Sequence, residues 1–219
     1  MLNKVNKQEF FLSGELLLLC ERMEMARFLR VYLHHLFRKG LVLPKVQFYC
    51  YRSMEQLPMV VEQLPVMEGS GQVRKVVLFA DAGDNVDARR NIMDIVRDSA
   101  FLATREYCAH FFFPGKGRGR RWRKGCLEDL LLEALAEADV GTQLSLLNVA
   151  REYLFSVDNV RGKMSLQSGR RLLHTYLAGT EEYAGLSLSD AAQAGAFDLD
   201  SAALAGLRSC FAALVDKMD

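Results

Sequence analysis

Four continuously apolar runs, separated by segments with helical periodicity, constrain the fold of this chain more than any other feature. Strands that alternate with helices of this length need right-handed crossover connections, and a strand that is apolar throughout has both faces covered. The sequence therefore predicts an α/β fold, mainly a parallel sheet with helices on both faces. The apolar runs lie at 13–20, 45–51, 73–80 and 108–113, and the helical segments between them lie at 21–38, 54–67 and 86–103.

Beyond residue 125 the apolar pattern is helical, and no further run is typical of a strand. We expect one structural unit with two parts: an α/β domain at 1–140, and a helical C-terminal extension at 141–219 that packs on it. The predicted helices of this region lie at 127–138, 144–155, 168–177 and 201–217. Apolar side chains of the last helix would either dock onto the sheet or close a homo-oligomer: they are Leu204, Leu207, Phe211 and Leu214.

Composition limits the classes of protein and partner. The chain has 219 residues, of which 50% are hydrophobic and 25% charged, so it can bury a sizeable core. A formal net charge of +1 gives no long-range attraction to nucleic acid or membrane, and any such preference has to come from a local patch. No apolar run reaches the roughly eighteen residues of a membrane span. Five cysteines without a CxxC pair predict reduced thiols and a cytoplasmic protein without membrane partners.

Acidic residues follow two of the predicted strands. Glu21 comes directly after the first strand and Asp81 after the third. Because the carboxyl ends of parallel strands meet at one edge of a sheet, the two carboxylates are expected to lie close together there. Magnesium is usually held by one or two carboxylates together with phosphate oxygens of a substrate. The alternative is that both residues only complement the dipole at the start of the helix that follows.

Residues 115–125 contain the densest charge cluster of the chain. Glycines alternate with cations in this segment, and the only tryptophan, Trp122, lies among them. Flexible cations beside a ring that stacks on a base are typical of contacts with nucleic acid or another phosphate-bearing ligand. The alternative is a solvated loop whose charges balance the acidic residues of the next helix. The six cations are Lys116, Arg118, Arg120, Arg121, Arg123 and Lys124.

The order of these short motifs resembles an uncharacterised prokaryotic family with a Toprim-like domain, which is Rossmannoid. The resemblance extends over nearly the whole chain, although each motif is short and degenerate. The C-terminal part of the chain resembles the closing segment of that family. The matching pieces are Glu21, Arg27-Phe28-Leu29, Asp81-Ala82-Gly83-Asp84, Pro114, Gly125-Cys126-Leu127-Glu128-Asp129-Leu130, Lys163, Tyr176-Leu177-Ala178 and the residues at 191–198.

Toprim domains occur in topoisomerases, primases and nucleases, where a Glu after the first strand and a DxD motif after a later one organise magnesium for phosphoryl transfer. The resemblance therefore implies that Glu21 and Asp81 are catalytic and hold the metal, with Asp84 as a further ligand. It also implies that the acidic pair Glu128 and Asp129 lies near the site. From the residues alone, carboxylates at this position usually complement the dipole at the start of a helix.

Three positions depart from the family pattern. Arg22 stands where the family has a Gly, Met25 replaces an acidic residue, and Gly83 replaces the second Asp of DxD. Asp84 is one position late, and it would reach a metal only if the flexible backbone of Gly83 reshaped the turn. Fewer carboxylates and an added cation weaken a divalent site, so the departures indicate a degenerate one.

Three functions remain open on this sequence. The departures favour a binding protein that engages nucleic acid or a protein partner and no longer uses its acidic site. A magnesium-dependent enzyme that processes phosphodiesters requires Glu21 and Asp81 to hold the ion while the basic segment grips the substrate. A nucleotide-binding α/β protein would need only the basic segment and the crevice at the edge of the sheet.

Overall fold

A four-stranded parallel sheet forms the centre of the protein, and the predicted α/β fold is confirmed. Its strands follow the order β2-β1-β3-β4, and all neighbours run parallel. The computed structural model describes residues 12–83, 85–112, 125–138, 141–162 and 169–215. The strands are β1 (Leu16–Glu21), β2 (Val46–Tyr51), β3 (Lys75–Asp81) and β4 (Glu106–Phe112).

Nine helices cover the sheet in the described part of the chain. They are α1 (Met23–Arg38), α2 (Leu57–Gln63), α3 (Val86–Arg97), α4 (Ala100–Ala103), α5 (Leu127–Ala138), α6 (Thr142–Arg161), α7 (Gly169–Ala178), α8 (Leu188–Gln193) and α9 (Ala205–Val215). The predicted helix at 86–103 is two helices, because the Ser99 side chain caps a new start by accepting the Leu102 N–H. None of the described helices combines the length and apolar character needed to cross a membrane.

Side chains alternate between two separate cores on the two faces of the sheet. Along β1, Leu16 and Leu18 pack with α1 and the C-terminal helices α5 to α9, on what we call the α1 face. Leu17 and Leu19 pack with α2, α3 and α4, on the α3 face. Every residue of β1 and β3 is buried, as expected for the central strands of a sheet covered on both sides.

The C-terminal helices dock onto the α1 face and share its core. Of the two predicted alternatives for the last helix, docking onto the sheet is the one observed: Leu204 and Phe211 are fully buried there. The ring of Phe211 stacks on Phe79 of β3 with centroids 5.5 Å apart. The ammonium group of buried Lys75 donates to the Leu214 carbonyl at 3.1 Å, which ties the end of α9 to the start of β3.

Candidate functional site

Three acidic residues converge at the carboxyl edge of the sheet. Glu21 and Asp81 end the neighbouring strands β1 and β3, and a carboxylate oxygen of Glu21 accepts the backbone N–H of Asp81 at 3.1 Å. Glu128, in the first turn of α5, approaches the same edge, where it shares an arginine partner with Asp81. The sheet order thus brings together carboxylates that lie far apart in sequence.

The strand alternation turns these carboxylates toward different faces. Leu19, two residues before Glu21, packs on the α3 face. Phe79, two residues before Asp81, packs on the α1 face. Because side chains two positions apart on a strand share a face, Glu21 is directed toward α3 and Asp81 toward α5. Each carboxylate therefore meets a different set of partners.

Arg89 of α3 holds Glu21 through two parallel contacts. Its Nη1 lies 2.8 Å from Oε2 of Glu21, and its Nη2 lies 3.2 Å from Oε1. Arg89 also passes close to Gly83, where a Cβ would come within 2.6 Å of the arginine Nε. The guanidinium thus occupies the space that a side chain at Gly83 would need.

Arg22 bridges the other two carboxylates. Its Nη2 contacts Oδ2 of Asp81, and its Nη1 lies 3.2 Å from Oε1 of Glu128. The backbone of Arg22 has a φ of 93°, the one positive value at a non-glycine residue in the described chain. This conformation is strained for any side chain with a Cβ, and glycine adopts it readily. The ion pairs thus hold an arginine in a backbone conformation that glycine would adopt more readily.

Arg170 at the start of α7 completes the network. Its Nε lies 2.9 Å from Oε1 of Glu128, and its Nη2 lies 3.9 Å from Oδ2 of Asp81. The Arg170 side chain is 47% exposed, whereas that of Glu128 is only 1% exposed. Arg170 is therefore the most solvent-exposed side chain of the network. We call Glu21, Asp81, Glu128, Arg22, Arg89 and Arg170 the edge network.

Burial and arginine contacts shift the two carboxyl groups on the α1 face in opposite directions. Burial raises the pKa of Asp81 to about 6, although Arg22 and the backbone N–H of Leu127 both favour its charged form. Burial also acts to raise the pKa of Glu128, but Arg22 and Arg170 outweigh it and bring that pKa down to about 2. Glu128 is thus the firmly charged centre of the network, while Asp81 titrates close to neutral pH.

Magnesium does not fit the edge network as it is arranged. All six carboxylate oxygens contact a guanidinium group or a backbone N–H. Three carboxylates face three guanidinium groups, so their formal charges cancel and no anionic excess remains to attract a divalent ion. The arrangement fits an ion-pair network that locks the carboxyl edge.

A second group of possible metal ligands borders the same network. One ligand atom each of Glu24, Glu128 and His174 lies within 4.8 Å of the others. Glu128 already contacts two guanidinium groups, which would repel a metal ion at this position. The cluster therefore gives little support to a metal centre.

Asp129 has a local role at the start of α5. Its carboxylate accepts the backbone N–H of Cys126 at 2.9 Å, which is the reciprocal contact of a capping box. Gly169 lies directly against it: a Cβ at Gly169 would come within 1.7 Å of the Asp129 carboxylate. Asp129 thus fits the helix-start interpretation, whereas its neighbour Glu128 belongs to the edge network.

The basic segment predicted to contact phosphate lies outside the described residues, but both of its flanks are described. Asp84 and the cluster formed by Lys116, Arg118, Arg120, Arg121, Trp122, Arg123 and Lys124 all lie outside. Before the segment, Phe112 is the register partner of Asp81 in β4 and β3. After it, Gly125 and Gly83 exchange backbone hydrogen bonds of 2.8 and 3.3 Å. Both flanks of 113–124 therefore lie beside Asp81.

Two of the three arginines were not recognised from the sequence. Arg89 lies inside an ordinary amphipathic helix, and Arg170 follows a segment without any motif. Arg22 was noticed, but only as a departure from a family pattern. No local signal identifies Arg89 or Arg170, because their partners Glu21 and Glu128 lie 68 and 42 residues away along the chain.

Comparison with known proteins adds no identification. No family model, curated protein or solved structure matches this chain. The interpretation of the carboxyl edge therefore depends on its own geometry and on the sequence.

Proposed function

We propose that this protein binds nucleic acid, or another phosphate-bearing ligand, at the carboxyl edge of its sheet, and that the acidic residues there are structural. The observation that carries the proposal is the position of the two flanks of the basic segment. Phe112 and Gly125 are both tied to the strand end at Asp81, by the β3–β4 register and by the bridge to Gly83. The residues on either side of the cationic segment are therefore both held at the edge where the ligand would bind.

The composition of the basic segment suits a polyanion. Six cations and Trp122 lie between 115 and 125, and no acidic residue lies among them. Lysine and arginine contacts to phosphates release counterions, which gives binding that weakens steeply as salt increases. An aromatic ring adds base stacking without demanding a particular sequence.

The edge network removes the obstacle that bare carboxylates would present to a phosphate. Glu21, Asp81 and Glu128 are each paired with arginine, so the acidic residues do not repel an approaching polyanion as a free acidic cluster would. The half-exposed guanidinium of Arg170 adds a cation on the solvent side. The same pairing argues against magnesium-dependent cleavage, since the guanidinium groups beside the carboxylates repel a divalent cation.

Neutralising the basic segment is expected to weaken nucleic-acid binding and its dependence on salt. We expect wild type to bind fluorescein-labelled single-stranded DNA or RNA at low salt in an anisotropy titration. Replacing Arg120, Arg121 and Arg123 with glutamine should lower the slope of log affinity against log salt by about 2, since each phosphate contact to a single strand contributes roughly 0.7. The matched control replaces exposed Arg97, Arg151 and Arg161 with glutamine and should keep the wild-type slope.

Metal dependence provides the opposing test. Calorimetric titration of magnesium or manganese into wild type is expected to show no binding, and incubation with DNA or RNA should give no cleavage. Cleavage that requires magnesium and is lost in Asp81→Asn would reject the binding proposal in favour of a phosphodiester-processing enzyme. Equal salt slopes for the segment variant and its control would also reject it.

A further inference from the structure

A groove runs between α1 and β2, on a surface that the edge network does not use. Its volume is about 1160 Å³. β2 is the first strand in the sheet order, so it has one strand neighbour among the described residues. All residues of β2 except Tyr51 are only partly buried, in contrast to the fully buried strands β1 and β3. Within the described ranges, part of the α1 face at this edge of the sheet is therefore left uncovered.

The floor and walls of the groove are largely apolar and combine aliphatic, thioether and aromatic side chains. Val46 and Phe48 of β2 face the groove. Met23 and Phe37, near the two ends of α1, border it with side chains that are 45% and 43% exposed. Methionine is flexible and polarisable and adapts to varied apolar partners. Exposed apolar residues grouped in one concave surface are typical of a site where another molecule binds.

The rim of the groove is cationic. Arg27 and Arg30 are three residues apart on the exposed side of α1, and Lys45 lies opposite them before β2. No acidic residue lines the groove among the described residues. None of these three cations is within ion-pair distance of a carboxylate in the part of the chain that the structure describes. Their charge is therefore available to an anionic partner.

We propose that this groove docks an acidic peptide segment of a partner protein. The apolar side chains of the segment pack on Val46, Met23 and Phe37, while its carboxylates pair with the rim cations Arg27, Arg30 and Lys45. Opposite charge around an apolar centre supplies both the affinity and the selection of the partner. This binding is independent of the phosphate-binding role proposed for the carboxyl edge.

The groove chemistry favours a peptide over a nucleic acid. Single-stranded nucleic acids need aromatic faces on which bases stack. The ring of Phe48 is already covered by Arg30, whose guanidinium carbon lies 5.2 Å from the ring centroid. The most exposed apolar side chains of the groove, Met23 and Phe37, lie near opposite ends of α1, so they form no continuous row of rings on which successive bases could stack. Separate apolar contacts of this kind accept leucine-like or phenylalanine-like side chains of a peptide.

Defined peptides test the proposal by fluorescence anisotropy. The probe is a short labelled peptide of alternating glutamate and leucine; the comparison probes are a lysine–leucine peptide, a glutamate–serine peptide and an oligo-dT strand of similar length. Wild type is expected to bind the glutamate–leucine peptide more tightly than either comparison peptide. Oligo-dT, which is expected to bind at the carboxyl edge, reports whether a groove variant also affects nucleic-acid binding. Reversing two rim charges in Arg27→Glu/Arg30→Glu should weaken that binding by about tenfold or more. Phe37→Ser should weaken it without adding charge.

A matched control variant tests whether peptide binding depends on the groove itself or only on the net charge of the protein. Arg151→Glu/Arg161→Glu makes the same change in net charge at exposed positions of α6 and should leave the peptide affinity unchanged. Glutamate is a good helix former, so both double variants should keep the wild-type melting temperature by circular dichroism. Neutralising Arg120, Arg121 and Arg123 should also leave peptide affinity unchanged.

Four results would overturn the proposal. They are the absence of glutamate–leucine binding by wild type, equal losses in the groove variant and its control, binding of the glutamate–serine or lysine–leucine peptide as tight as that of the probe, and a larger loss of oligo-dT binding in Arg27→Glu/Arg30→Glu than in Arg151→Glu/Arg161→Glu. The last result would indicate a nucleic-acid groove.

Discussion

Replacing Arg22 with alanine is expected to lower the free energy of unfolding by about 3 to 5 kcal/mol, because it leaves buried carboxylates without their shared cation. Arg22 contacts Asp81 and Glu128, whose side chains are 9% and 1% exposed. Burial by itself would lower the pKa of Arg22, but these two carboxylates raise it above its usual value, which reflects their strong preference for the charged guanidinium. Urea denaturation monitored by circular dichroism measures the loss.

Arg22→Gly separates the backbone strain from the ion pairs. Both substitutions remove the cation, but glycine adopts a φ of 93° without strain. Relief of strain exceeds the added entropy of glycine in the unfolded chain, so the glycine variant should be more stable than the alanine variant by about 1 kcal/mol. Arg97→Ala, which removes an exposed ion pair with Asp94, is the control and should change stability by less than about 1 kcal/mol. A loss at Arg22 no larger than at Arg97 would refute the role of the edge network.

Acidification is expected to destabilise wild type through Glu128. The pKa of this carboxyl group falls from 4.5 in the unfolded chain to about 2 in the folded protein. The folded state therefore binds fewer protons at low pH, and the stabilisation is present above pH 4.5 and is lost as the pH falls toward 2. A shift of this size is equivalent to about 3 kcal/mol. Urea denaturation at a series of pH values measures it.

Asp81 acts in the opposite direction and needs its own variant. Its pKa rises from 3.8 to about 6 on folding, so its contribution is present below pH 3.8 and is lost as the pH increases through 6. At each pH, the free energy of unfolding of Glu128→Gln is subtracted from that of wild type. The difference should decrease as the pH falls from 4.5 to 2. Subtracting the free energy of unfolding of Asp81→Asn from that of wild type should leave a difference that decreases as the pH rises from 4 to 6. Parallel curves for wild type and Glu128→Gln would show that Glu128 is not held by its arginines.

The sequence was sufficient for the architecture of the sheet and for the place where the acidic residues gather. Apolar runs that alternate with helical segments indicate parallel strands, and the handedness of crossovers limits how those strands are arranged. Glu21 and Asp81 consequently lie at one edge, as predicted. The predicted bounds of helices were less accurate where a side-chain cap sets the start of a helix, as at Ser99. The short helix α8 was not predicted.

Only the tertiary structure decided what surrounds those carboxylates. A strand end fixes the position of a residue, but the face it points to depends on the alternation of the whole strand and on what packs there. Arg22 and Glu128 are 106 residues apart in sequence, and Arg89 and Arg170 come from helices on opposite faces. Local periodicity carries no information about such ion pairs, because they form only when separate helices are brought to the same edge of the sheet.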